Sequence, residues 1–97
     1  MTRLFKDKVH KQPGNMSHFD LPAPQARHVS LAGNFNGWDP DKGTMHKGPD
    51  GVWHLNMVLK PGRYEYRFIV DGLWSDDPAV QQRAANSLGS ENCVRVV

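Results

Sequence analysis

From Ser17 onward, apolar and polar positions alternate with a period of two. "SHFDL" sets Ser17, Phe19 and Leu21 against His18 and Asp20, and "HVSLAGN" aligns Val29, Leu31 and Gly33. "VWHLNMVL" places Trp53, Leu55, Met57 and Leu59 on one face and His54 and Asn56 on the other. "RYEYRFIV" repeats the pattern with Tyr64, Tyr66, Phe68 and Val70 opposite Arg63, Glu65 and Arg67, and "NCVRVV" ends the chain with Val94 and Val96 pointing inward. Side chains alternate across a strand, so each run predicts a strand that buries one face. The turn dipeptides Asp50-Gly51, Pro61-Gly62 and Asp71-Gly72 separate the runs, supplying the positive or fixed φ of tight turns. Asp71-Gly72, between Val70 and Leu73, is the strongest hairpin signal. Residues 78–89, "PAVQQRAANSLG", have irregular apolar spacing and predict at most a helical turn within a loop. No internal repeat is visible. Short antiparallel strands in a chain of this length predict an all-β sandwich with Leu31, Trp53, Leu55, Tyr66, Phe68 and Val94 in its core.

The same period sorts the tryptophans. Trp53 falls on the core face. Trp38 follows the loop "GNFNG" and Trp74 follows the turn Asp71-Gly72, so neither belongs to an inward row. In the plainer reading, Trp38 caps one end of the sandwich and Trp74 covers an edge strand. In the other, both are a binding surface. An indole is a wide apolar plate with a polar edge, matched to the C–H face of a pyranose. Stacking the two buries on the order of 100 Å² of apolar surface, worth roughly 2–3 kcal/mol. The hydroxyl rim of the sugar then requires partners such as Asn, Lys or Arg, since a desolvated polar group left alone costs about 1–3 kcal/mol.

At these residues the chain resembles a known family. "VSLAGNFNGWDP", "GVWHLNMVLKPGRYEYRFIVDGLWSDDP" and "SLGSENCVRVV" are similar, in order and spacing, to carbohydrate-binding module family 48. That family comprises the early-set domains that precede the catalytic domain in glycogen branching enzymes and isoamylases. The resemblance runs from about Asn15 to Val97 and extends to the glycogen-binding domain of the beta subunit of AMP-activated protein kinase. It implies an immunoglobulin-like (early-set) antiparallel β-sandwich with a site for α-1,4-linked glucan, such as glycogen or a maltooligosaccharide. It also implies a glycogen-metabolising enzyme or kinase as partner. Carried over residue by residue, the two stacking tryptophans match Trp38 and Trp74, and the family's basic residue matches Arg67. The apolar residue that pushes into the glucan matches Leu88, the hydroxyl donor matches Ser90 and the following asparagine matches Asn92. Two positions depart from the pattern: Arg67 stands where lysine is common, and Ser90 where the kinase subunit has threonine. An arginine fork does not reproduce the single donor point of an ammonium.

Composition narrows the functional classes. The chain has 97 residues and a net charge of +2. Residues 1–14 carry +3 and the remainder −1, so the folded part has no basic footprint for nucleic acid. The basic excess reads as a flexible tail over residues 1–14, ahead of a domain at 15–97. No apolar run is long enough to span a membrane. Charges interrupt the N-terminus where a secretory leader needs an apolar stretch. The single cysteine, Cys93, reads as a small packed residue of a reducing compartment, and the cytoplasm is expected. Asp39 with Asp41 and Asp76 with Asp77 are the acidic pairs, but glycoside hydrolysis needs two carboxylates across a cleft. Asp76-Asp77-Pro78 reads as a turn that satisfies its own backbone. The five histidines have no metal-ligand spacing, and no phosphate loop or serine elbow is present. The expectation is a non-catalytic module without cofactor or metal. A structural or protein-docking early-set domain that binds no sugar remains the alternative.

Overall fold

The alternating runs become eight strands in the computed structural model, which describes residues 14–97. The expected tail, Gly14 apart, lies outside the described residues. A three-stranded sheet joins β1 (Asn15–Pro22), β4 (Val52–Leu59) and the two-residue β3 (His46–Lys47) in the order β1-β4-β3. The second sheet runs β2 (Val29–Gly33), β5 (Arg63–Val70), β8 (Glu91–Val96) and β7 (Arg83–Ala85). β6 (Leu73–Ser75) pairs with the far end of β5. Every pairing is antiparallel. The two sheets pack face to face as the expected sandwich.

The facing rows meet as expected. Phe19 and Leu21 from β1, Leu31 and Val29 from β2, Trp53 from β4, and Tyr66 and Phe68 from β5 are buried together. The Phe19 and Tyr66 rings cross edge to face at 5.1 Å, bridging the sheets at the centre of the core. Trp53 is 7% exposed, and its Nε1–H donates to the Ala23 carbonyl at 3.0 Å, so the burial leaves no polar cost.

Four expectations need correction. Leu55 shares the Trp53 face but is only half-buried, between the buried Trp53 and Leu59 of the same strand. β8 has the opposite parity to the one read from its valines. Cys93 pairs with Tyr66 and is fully buried, whereas Val96 is 69% exposed opposite Arg63. Val94 is buried, but beside Glu65 on the outer face. The inward place after Cys93 goes to Arg95. Its guanidinium sits 4.0 Å over the Phe19 ring and donates to the His18 carbonyl, so a charged residue covers the open end of the core. β2 is buried on both faces, with Ser30 and Ala32 as covered as Val29 and Leu31. The segment after the short 3-10 helix Pro40–Lys42 bonds along it, Leu31 N–H to the Gly43 carbonyl at 2.8 Å and Met45 N–H to Val29 at 3.0 Å. This approach demands glycine, because a Cβ at Gly43 would lie 1.9 Å from the Leu31 oxygen. Finally, residues 78–89 contain the strand β7. Arg83-Ala84-Ala85 has little intrinsic strand preference; pairing with Asn92 and its neighbours on β8 makes it one.

Candidate functional site

Three loops bring the candidate residues to the outer face of the larger sheet. The first follows β2. Asn36 folds it by accepting from Gly33 N–H and donating to the Leu31 carbonyl, each at 3.0 Å. The Gly33 carbonyl accepts from both Asn36 and Trp38 N–H. Asn34 ties the loop to β5 by two bonds with the backbone of Glu65. Both asparagines thus serve the turn. Gly37 (φ 68°) and Trp38 (φ 59°) are successive left-handed residues. Glycine takes this conformation freely, whereas a tryptophan in it is strained by roughly 1–3 kcal/mol. The surrounding bonds hold Trp38 there, half-buried and aimed across the sheet.

The second element is the β5–β6 hairpin. Asp71 (φ 50°) and Gly72 (φ 86°) form its two-residue turn, the primed geometry that suits strand twist. The Asp71 carboxylate also caps the Arg27 and His28 N–H groups. The turn pairs Ile69 with Trp74, so Trp74 points away from the core on the Arg67 side of the sheet. Trp74 is 52% exposed, and its ring lies 6.4 Å from that of Trp38 at an interplanar angle of 60°. The two plates form an open V.

Arg67 lies behind them. Its Nη2 reaches Asp76 Oδ1 at 3.1 Å and its Cζ is 5.8 Å from the Trp74 ring centre. Its Nε is buried and has no partner among the described residues. A buried donor without an acceptor costs about 1–3 kcal/mol, which the ion pair with Asp76 and the contact with Trp74 offset. Neighbouring Asp77 faces the other way: it is buried, accepts from the Tyr66 hydroxyl at 2.7 Å and from Ala79 N–H, and its own N–H contacts Cys93 Sγ. Burial, reinforced by this carboxylate, pushes the Tyr66 hydroxyl pKa far up. The adjacent aspartates therefore link the core to the site, one anchoring the loop inside and one holding Arg67 outside. The Ala79 contact, with Val80 N–H donating to the Asp77 carbonyl at 3.3 Å, is the self-satisfying turn read from the sequence.

The third element is the β7–β8 connection, organised by Asn86. Its Oδ1 accepts from Leu88 and Ser90 N–H at 2.9 and 3.2 Å, and its Nδ2 donates to Ser90 Oγ and Asn92 Oδ1. Gly89 (φ 85°) completes the turn and leaves Leu88 89% exposed at its tip. Asn92 is 7% exposed and donates to Glu65 Oε1 at 3.1 Å. This bond, with the contact from Arg63, holds the Glu65 carboxyl below its ordinary pKa.

Trp38, Arg67, Trp74, Leu88, Ser90 and Asn92 line one open depression of about 480 Å³, together with Asn86 and Ser87. All six residues singled out in the sequence therefore share one surface. Asn86, Asp76 and Glu65 were missed as its framework. An Asx-turn signal was available for Asn86 in "NSLGS", an asparagine whose side chain can cap the residues after it. Asp76 and Glu65 carry no local signal, because their partners lie on other strands. The histidines are less scattered in space than in sequence: His18 and His54 meet on the opposite face, beside Asp20.

Residues 22–97 match the family model described as the glycogen recognition site of AMP-activated protein kinase. The protein is thus a carbohydrate-binding module. It belongs to that glycogen-recognition family and is an α-glucan-binding member of the early-set sandwiches. It is 40% identical over 72 residues to Protein PTST homolog 2, chloroplastic, of Arabidopsis thaliana, a match covering 74% of this chain and 13% of that protein. Protein FLOURY ENDOSPERM 6, chloroplastic, of Oryza sativa subsp. japonica is 47% identical over 53 residues, covering 55% and 10%. A 1,4-alpha-glucan branching enzyme of Xanthomonas campestris pv. campestris is 36% identical over 80 residues, covering 75% and 11%. The chain thus corresponds to about a tenth of the length of the relatives it matches. The cytoplasmic expectation is overturned by the two plant relatives, both chloroplastic proteins. The lone buried thiol indicated only a reducing compartment, and testing for an apolar leader cannot detect a transit peptide, which is amphipathic.

Proposed function

We propose that the Trp38–Trp74 depression binds a short run of α-1,4-linked glucose and that the module does no chemistry of its own. The observation that carries this is the pair of indoles 6.4 Å apart and tilted by 60° in one open depression that Arg67 also lines. Two tilted plates suit a curved chain, each taking the apolar face of one sugar, while the exposed part of the Arg67 guanidinium borders the hydroxyl rim. Leu88 closes the far side as an apolar wedge, and Ser90 offers a hydroxyl. Asn92, almost covered, serves as floor and tether more than as a free donor. The Arg67 charge is paired with Asp76, which leaves the groove near neutral and suited to a neutral polymer. The α-1,4 linkage draws support from the branching-enzyme relatives, whose names specify that glucan. In this reading the partner is an enzyme of glycogen or starch metabolism, on the same chain or another, and the compartment is a plastid, as for the two plant relatives.

Titration with maltoheptaose while following tryptophan fluorescence tests the proposal. A saturable change at micromolar to millimolar sugar is expected, lost in Trp74→Ala and little altered by 0.5 M salt. Absence of any change, or the same change in Trp74→Ala, favours the sugar-free docking domain instead.

A further inference from the structure

The face opposite the groove carries a second constellation. β1 and β4 pair so that Asp20 stands across from His54 and His18 from Asn56, all four on the outer side of the smaller sheet. His54 Nδ1 lies 3.2 Å from His18 Nε2, and His18 Nε2 lies 3.7 Å from Asp20 Oδ2. One donor atom from each of the three residues falls within 4.8 Å of the others. The imidazole planes are tilted by 34° with centroids 5.2 Å apart.

We propose that His18, Asp20 and His54 form a site for one divalent transition-metal ion of the zinc class. Zinc binds imidazole nitrogen and carboxylate oxygen at about 2.0–2.2 Å, which sets neighbouring donors of a tetrahedral ion roughly 3.3–3.6 Å apart. The two donor separations bracket that span. The protonation pattern leads to the same place. Asn56 Oδ1 only accepts, so the 2.6 Å contact is a hydrogen bond donated by His18 Nδ1–H, which leaves Nε2 as the lone-pair nitrogen on the side of Asp20 and His54. Orienting one ring nitrogen so that the other can ligate is how outer partners prepare metal histidines. His54 Nδ1 can meet that lone pair in two ways: with its own proton, as a neutral N–H···N hydrogen bond at 3.2 Å, or in the other tautomer as a second lone pair sharing a metal. Imidazole with carboxylate selects a transition metal over magnesium or calcium. His46, in register with His54 on β3, stands on the same face as a further imidazole, and solvent can complete the shell. Bound there, the ion would clasp the edge strand β1 to β4.

The test is calorimetric titration of Zn2+ into the full 97-residue chain without a histidine tag, with Mg2+ as comparison. One zinc per chain in the micromolar range and no magnesium binding are expected. His54→Ala and Asp20→Asn should each weaken zinc at least tenfold, and Asn56→Ala roughly 10–100-fold, the range seen for outer partners of a metal site. Unfolding midpoints in EDTA check that the variants are folded. In the unsubstituted chain, histidine-ring nitrogen resonances provide the second readout, and those of His18 and His54 should move on zinc addition. The proposal is overturned by no saturable binding up to about 1 mM zinc, which leaves the His54–His18 contact as an ordinary hydrogen bond between neutral rings. It is equally overturned by undiminished affinity in a His18→Ala/His54→Ala variant, or by ring shifts confined to other histidines.

Discussion

Trp53 and Trp74 put the same side chain to opposite use. Both sit on antiparallel strands next to a turn, yet one is 7% exposed and the other 52%. Trp53 is on the inward parity of β4, packed among Phe19 and Leu21, with its N–H bonded to Ala23. Trp74 is on the outward parity of β6, supported from one side by the edge of Trp38 and from behind by Arg67. Nothing intrinsic to an indole decides between these roles. Parity does, and parity is set by the strand partner: Leu21 across from Trp53, Ile69 across from Trp74. Under the proposed function, fold and sugar binding rest on separate tryptophans and are damaged independently.

The largest effect expected is therefore on stability. Trp53→Ala removes a buried indole and its hydrogen bond and should cost about 3–5 kcal/mol in urea unfolding, a large fraction of what so small a domain possesses. Trp74→Ala should change stability by less than about 1 kcal/mol while weakening maltoheptaose by roughly 2–3 kcal/mol, the stacking energy of one sugar. Equal stability losses in the two variants would show both to be packing residues and collapse the contrast.

Trp38 sharpens it, since it is half-buried and strained at φ 59°. Trp38→Gly relieves the backbone while deleting the ring, so it should lose sugar binding at a smaller stability cost than Trp38→Ala. The reverse order would mean that the loop does not hold the left-handed turn in solution.

Tyr66→Phe probes the link between core and site. It leaves the buried Asp77 carboxylate without its hydroxyl donor and should cost about 1–3 kcal/mol in the same unfolding assay.

The smallest effect belongs to Glu65. Its folded carboxyl titrates below the ordinary value of 4.5, held down first by the bond from Asn92 and then by Arg63. Its contribution is thus fully present above about pH 4.5 and fades as the pH falls through that value toward the lower folded one. The side chain is 27% exposed and solvent screens the pair with Arg63, so the loss should stay below about 1 kcal/mol. Comparing unfolding at pH 6 and pH 3 for the chain and for Glu65→Gln isolates it, and an identical pH dependence in both would remove this role.

Much of this was legible in one dimension. Strand alternation, the Asp71-Gly72 hairpin and the assignment of Trp53 inward and Trp74 outward all follow from a period of two, because a pleated backbone turns each side chain to the face opposite its neighbour. The six groove residues were legible too, through the resemblance of their motifs. Four other features were decided only by the tertiary structure. β8 carries valines on one parity and Cys93 with Arg95 on the other, and the pairing of Cys93 with Tyr66 chose between them. β7 exists because β8 offers it a ladder. Asp76 and Asp77 are neighbours in the chain but partners of Arg67 and Tyr66 on opposite sides of one sheet. His18, Asp20 and His54 form a cluster only when β1 and β4 align, the last two lying far apart in the chain. Local alternation is a property of the backbone and can be read along it. Which strands become neighbours, and in what register, depends on burying the whole core at once, and every long-range contact inherits its geometry from that choice.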